Sequence, residues 1–127
     1  AMLNNSRASG QTEELVASLQ LARAEAVRRN ARVTACAGAS GVCSGSATWA
    51  NWTIFGRDVT AATPTTDVIR DTSASGSVQV TGPAAGIVYK PSGMIDTQQQ
   101  LQVTKSGSQR CINVLISGVV TVTKGAC

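Results

Sequence analysis

Residues Leu21–Cys36 read LARAEAVRRNARVTAC, and the fold turns on how this stretch divides. Its first part continues an apolar recurrence that begins upstream: Leu15, Leu19, Ala22 and Ala26 return at steps of four and three, the spacing of one helix face. The pattern predicts a helix from Thr12 to Asn30 whose packing face is those four residues. Thr12 is expected to cap its start, with Glu13 and Glu14 near the positive end of the helix dipole. Arg28 and Arg29 fall at the negative end, Glu25 precedes Arg29 by the four residues that favour an ion pair, and Asn30 can take the left-handed conformation that stops a helix. The second part, Arg32-Val33-Thr34-Ala35-Cys36, is β-branched and follows with almost no loop.

Outward from that junction the texture changes to short β-rich runs separated by Gly, Pro, Ser and Thr. Strands are expected over Arg32 to Ala37, Trp52 to Phe55, Asp67 to Arg70, Ser77 to Val80, Gly86 to Tyr89, Leu101 to Thr104, Cys111 to Ile116 and Val119 to Thr123. Ser117-Gly118 reads as a tight hairpin turn and Lys90-Pro91-Ser92-Gly93 as a second turn. The Thr-, Ala- and Ser-rich stretch from Asp58 to Gly82 is expected to hold long exposed loops. One helix followed by antiparallel strands makes an α+β chain, with the helix packed on sheets in a sandwich-like arrangement. A length of 127 residues with 43% hydrophobic content suits a single domain. The four rings, Trp49, Trp52, Phe55 and Tyr89, read as structural.

The chain has no histidine. That removes the commonest general base, metal ligand and partner of a nucleophilic Ser or Cys. Glu13, Glu14, Glu25, Asp58, Asp67, Asp71 and Asp96 fall at no spacing that suits an acid–base pair or a metal loop, so catalysis and a resident metal are not expected. Gly38-Ala39-Ser40-Gly41 lacks the lysine and the following helix of a phosphate loop. The sequons at Asn4 and Asn51 carry little information. The net charge of +4 and pI near 9.2 favour anionic partners. The basic residues Arg23, Arg28, Arg29 and Arg32, joined by Lys105, Arg110 and Lys124, could track a phosphate backbone. Of these, Arg28, Arg29, Arg32 and Lys124 are the candidate DNA- or anion-binding set.

Cys36, Cys43, Cys111 and Cys127 do not fit the spacing of a thiolate zinc site, and as disulfides they allow three pairings. Loop closure favours the local pairs Cys36 with Cys43 and Cys111 with Cys127, without deciding the matter. Disulfides imply the periplasm or the cell exterior. No stretch approaches the roughly 20 apolar residues that span a bilayer. Ala1-Met2 ahead of a polar start reads as a cloning remnant in front of a longer native chain.

Glu14-Leu15, the run Leu19 to Asn30, and then Arg32-Val33-Thr34 and Cys36 resemble the signature of the GspH/FimT family of type IV minor pilins and pseudopilins. Trp49 to Phe55 with Asp58 resembles that family's tryptophan-rich strand, with Asn51 where glycine is usual. Ile87 to Gly93 resembles its later strand and turn, and Cys111 to Cys127 its terminal hairpin. The middle loop region is unmatched. The resemblance implies a leader cut by prepilin peptidase and a hydrophobic helix in the inner membrane. Residues 1–31 would then be the C-terminal half of the pilin helix and residues 32–127 the β-rich head. It implies no enzyme activity and no cofactor. The expected partners are other minor pilins, the major pilin and the inner membrane. The head would be periplasmic before assembly and extracellular in the pilus, at the tip.

Three roles lie within the resemblance: a minor pilin that primes pilus assembly and serves twitching motility and adhesion, a DNA receptor for natural transformation, and a pseudopilin of type II secretion. DNA-binding members are expected to carry Gly-Arg-x-Arg near the C-terminus. Gly118-Val119-Val120-Thr121 has no arginine there, which sets DNA reception second to the priming role, and the terminal cysteine pair, commoner in pilus minor pilins than in secretion pseudopilins, sets the secretion role third.

Overall fold

The computed structural model describes residues 2–58, 65–74 and 78–127, with side chains described from Gly10 onward except at 57, 58 and 65. The chain begins with helix α1, Met2–Arg29. This corrects the expected start at Thr12. Residues 2–11 offer no apolar period to a sequence reading, yet they contain no proline and continue the same helix. Thr12 is therefore a buried residue of the helix interior, not a cap, and Glu13 and Glu14 lie beyond a first turn that has no acidic residue. The other end is as the residues suggest. Asn30 has φ 51°, its N–H donates to Val27 C=O (3.3 Å), and Ala31 N–H donates to Ala26 C=O (3.2 Å). These two bonds satisfy carbonyls of the last turn in a Schellman motif. The chain leaves that motif already pointed into a strand.

Among the described residues nine strands follow: β1 Val33–Ala39, β2 Val42–Cys43, β3 Asn51–Asp58, β4 Thr65–Ser73, β5 Gln79–Thr81, β6 Ile87–Tyr89, β7 Gln99–Lys105, β8 Ser108–Val114 and β9 Val120–Lys124. The pairings among these strands are antiparallel. One sheet has the order β2-β1-β3-β4, with β6 also pairing β1. The other has the order β5-β7-β8-β9. A bridge between Thr48 and Thr81, with Trp49 N–H donating to Val80 C=O (2.7 Å), joins the approach to β3 in the first sheet to β5 in the second.

Strand β2 has no counterpart in the sequence reading; Gly38 to Gly41 forms the end of β1 and the turn into it. Part of the expected loop region is strand, since β4 runs nine residues through Thr65–Ser73. The remainder of that expectation, at residues 59–64 and 75–77, and the start of the strand expected at Ser77, lie outside the described residues. So does the Asn4 side chain. The Ser117-Gly118 turn is also revised. Gly118 N–H donates to Leu115 C=O (2.7 Å) and Leu115 N–H to Val119 C=O (2.9 Å), so Ile116 and Ser117 form the turn and Gly118, at φ 87°, closes a three-residue loop.

Helix α1 lies across both sheets, and their apolar residues make one continuous core. Leu15, Leu19, Ala22 and Ala26 are wholly buried in it. Burial of each leucine contributes about 1.5–3 kcal/mol, while the alanines let the backbones of helix and sheet approach. Trp49, Trp52 and Tyr89 are also wholly buried, and Phe55 is half-buried. Trp52 Nε1–H donates to Ser18 Oγ (3.2 Å), whose own hydroxyl donates to Glu14 C=O (3.0 Å). The largest ring of the first sheet is thereby keyed to one position on the helix.

Candidate interaction surface

The face of α1 turned away from the core determines what the domain can offer a partner. Near its C-terminal end, Glu25 accepts from Arg28 Nη2 (2.6 Å) and from Arg29 Nε (2.9 Å), and Arg29 Nη1 reaches Asp67 of β4 (2.6 Å). Arg28 and then Arg29 hold the Glu25 carboxyl below the usual carboxylate range, and Glu25 followed by Asp67 raises the Arg29 guanidinium above its ordinary value. Two arginines and two carboxylates make this cluster neutral. Arg29 is largely enclosed by its partners, Arg28 is two-thirds exposed, and Arg32 is exposed at the entry to β1.

Lys124 is not beside them. It ends β9 directly opposite Arg110 of β8. Arg110 lines the same groove as Thr12 and Glu13, whereas the first residue of β9, Val120, lies by Arg23 and Arg28. The span along α1 from Thr12 to Arg28 is about 24 Å at 1.5 Å per residue. The four candidate anion-binding residues thus fall into two groups, with one arginine of the first tied up in salt bridges.

Between α1 and β9 runs an open groove of about 590 Å³ at its wider end, continued past Gln20 by a second hollow of about 360 Å³. Its lining is mainly apolar, from Val16, Ala17, Ala24 and Val27 on the helix to Val119, Val120 and Val122 on the hairpin. Val27, Val119 and Val122 are each about half exposed. Arg23 sits at the upper rim, where its Nε–H donates to Gly93 C=O (3.3 Å) in the Lys90–Gly93 turn. Gly118 is packed against that same carbonyl, so closely that a β-carbon at Gly118 would lie 2.0 Å from it. Both turns and Arg23 therefore fix the wall of the groove. Sequence reasoning had placed Arg23 among the basic residues but had not seen the groove. The available signal was the alternation Val120-Thr121-Val122-Thr123.

The cysteines pair Cys36 with Cys43 across β1 and β2, and Cys111 with Cys127 from β8 to the segment after β9. Among the described residues no group of His, Cys, Asp and Glu could hold a metal ion, and no helix is long and apolar enough to cross a membrane.

Solved structures share this architecture. The type IV minor pilin FimU of Pseudomonas aeruginosa (strain PAO1) aligns in one crystal form with TM-score 0.73 and 18% identity, covering 97% of this chain and 92% of that one. In a second crystal form the values are 0.68 and 20%, with 91% of each chain covered. The minor pseudopilin EpsH from the type II secretion system of Vibrio cholerae aligns with TM-score 0.68 and 13% identity, covering 93% of this chain and 97% of that one. No curated protein matches the sequence. The family model described as type II transport protein GspH matches residues 11–119, from the buried part of α1 to the final hairpin turn, and the chain belongs to this family of pilin-like minor pilins and pseudopilins.

Proposed function

We propose that the chain is a minor pilin of a type IV pilus, which joins other minor pilins in the complex that primes assembly and stays at the pilus tip. The observation that carries this reading is the half-exposed apolar surface beside α1, formed by Val27, Val119 and Val122. A surface of that kind suits a subunit that is covered by neighbours. The likeness to the minor pilin FimU over nearly the whole chain supports the same reading, and two disulfides suit a head that works outside the cytoplasm. The partners are other minor pilins and the major pilin, with inner-membrane anchoring before assembly. DNA reception is disfavoured by the neutral cluster around Glu25 and by a final turn without arginine.

The likeness to EpsH and the family's description favour a second reading, a pseudopilin of a type II secretion machine. Deletion of the gene in its host, with complementation by the full-length protein, separates the readings. Loss of surface pili and twitching with secretion intact supports the pilus reading. Loss of secretion with pili retained overturns it in favour of the pseudopilin. Loss of transformation alone overturns it in favour of a DNA receptor.

A further inference from the structure

Among the described residues strand β9 is an edge of its sheet. Its backbone polar groups can be assigned from the ladder. Leu115 N–H donates to Val119 C=O and Gly125 N–H to Gln109 C=O, with Asn113 opposite Thr121 and Cys111 opposite Thr123 between them. In an antiparallel pair the bonded positions recur at every second residue. Val119, Thr121, Thr123 and Gly125 therefore turn their backbone groups to β8, and Val120, Val122 and Lys124 turn theirs away from it. The strand carries no proline, and Lys124 at its far end is its only charge. Natural edges are ordinarily blunted more than this.

We propose that β9 is a docking edge for an extended segment of another pilin-like subunit, which adds as a further strand and fills the groove against α1 with alternate apolar side chains. The backbone of Val120, Val122 and Lys124 supplies the hydrogen bonds, and the groove beside them supplies the apolar contact, so one extended segment satisfies both. A helix laid in the same groove would leave those backbone groups unpaired. The charges define the partner further. Arg23 rims the end beside Val120, where Arg28 is already paired with Glu25, and Lys124 ends β9 at the other, beside Arg110 and Glu13, so the incoming strand is acidic at its flanks. The source of the segment rests on the assembly reading above; the edge and its chemistry do not.

The probe is a blocked octapeptide of alternating valine and threonine with a glutamate at each end, titrated into this 127-residue chain and followed by amide hydrogen exchange in NMR spectra. Strand addition predicts that the amides of Val120, Val122 and Lys124 gain at least tenfold protection, while Thr121 and Thr123 are already protected in the free protein. A peptide with lysines for the glutamates should bind at least tenfold more weakly. Val122→Pro removes an outward N–H without touching the β8 ladder and should weaken binding at least tenfold. Val122→Lys, at an exposed position that keeps the backbone donor, tests the apolar contact separately and should also weaken it. Absence of binding at millimolar peptide, or protection on the helix without alternation along β9, overturns the proposal. Loss of pili on gene deletion combined with no peptide binding would sink the docking edge and leave the assembly reading standing. Binding combined with intact pili would do the reverse.

Discussion

Ser18→Ala tests whether α1 is keyed to the first sheet as the core geometry requires. The Ser18 hydroxyl is wholly buried, accepts from Trp52 Nε1–H at 3.2 Å and donates to Glu14 C=O at 3.0 Å. Alanine leaves the indole N–H without this acceptor inside the core, a cost of about 1–3 kcal/mol. Better helix propensity returns about 0.5 kcal/mol. The expected net loss is about 1–2 kcal/mol, or roughly 4–8 °C in melting temperature for a domain of this size. Urea unfolding followed by far-ultraviolet circular dichroism, with both disulfides intact, gives the number without depending on tryptophan emission. Trp52→Phe removes the donor, and the double variant should show a coupling of about 1 kcal/mol between the two sites. A Ser18→Ala protein within about 0.3 kcal/mol of the parent, with additive behaviour in the cycle, would refute the reasoning. Trp52 would then be held by its packing alone.

Leu19→Asp places an unpaired charge at the centre of the buried helix face and should cost more than about 4 kcal/mol, read as loss of the cooperative thermal transition. An unchanged melting temperature would mean that this face is not packed. Replacing Cys111 and Cys127 by serine opens a closure of sequence separation 16 and should cost about 3 kcal/mol, against about 2 kcal/mol for the separation of 7 between Cys36 and Cys43. Equal losses for the two pairs, by denaturant unfolding, would argue against the chain-entropy account. Burial pushes the Tyr89 hydroxyl up to about 12, and among the described residues it has no hydrogen-bond partner. The unfolded chain ionises first, so stability should fall by about 3 kcal/mol as pH rises from about 10 to about 12. Tyr89→Phe should flatten that alkaline limb and change neutral-pH stability little; an unaltered limb would show that other groups produce it. Arg28→Ala should cost at most about 0.5 kcal/mol, since the exposed pair with Glu25 leaves Arg29 still bound there. A loss above about 2 kcal/mol by the same unfolding assay would contradict the exposed placement of Arg28.

The helix and most strands were legible because each has a period that burial enforces. Leu15, Leu19, Ala22 and Ala26 must share a face wherever the helix starts, and Asn30 must stop it because its side chain tolerates the left-handed conformation. The start itself was not legible. Residues 2–11 show no apolar face in sequence, and the reading took Thr12, a residue type that caps helices, for a boundary. Ser18 was missed for a related reason: a serine in a helix reads as a neutral surface residue until a distant Trp52 N–H is found against it. The basic set failed as a single patch because sequence counts charges without pairing them. Asp67 is far from Arg29 in sequence, and only the lateral packing of β4 brings them to 2.6 Å. Likewise Lys124 belongs to the same composition as Arg28 but stands at the opposite end of a five-residue strand.

The last disulfide bears on why the β9 edge stays open. Register puts Cys111 opposite Thr123, and side chains alternate along β8, so Cys111 lies on the face away from Ile112 and α1. Bonding to Cys127 draws the chain after Gly125 back over that outer face toward β7, where Cys127 Sγ approaches Leu101 C=O at 3.3 Å and Cys127 N–H approaches Gln102 Oε1 at 3.5 Å. This segment therefore turns away from the edge of β9 and cannot cover it. The same bond that restrains this segment leaves Val120, Val122 and Lys124 with outward backbone groups beside an apolar groove. Stability of the hairpin and availability of its edge are consequences of one covalent constraint, which is what the proposed strand docking requires.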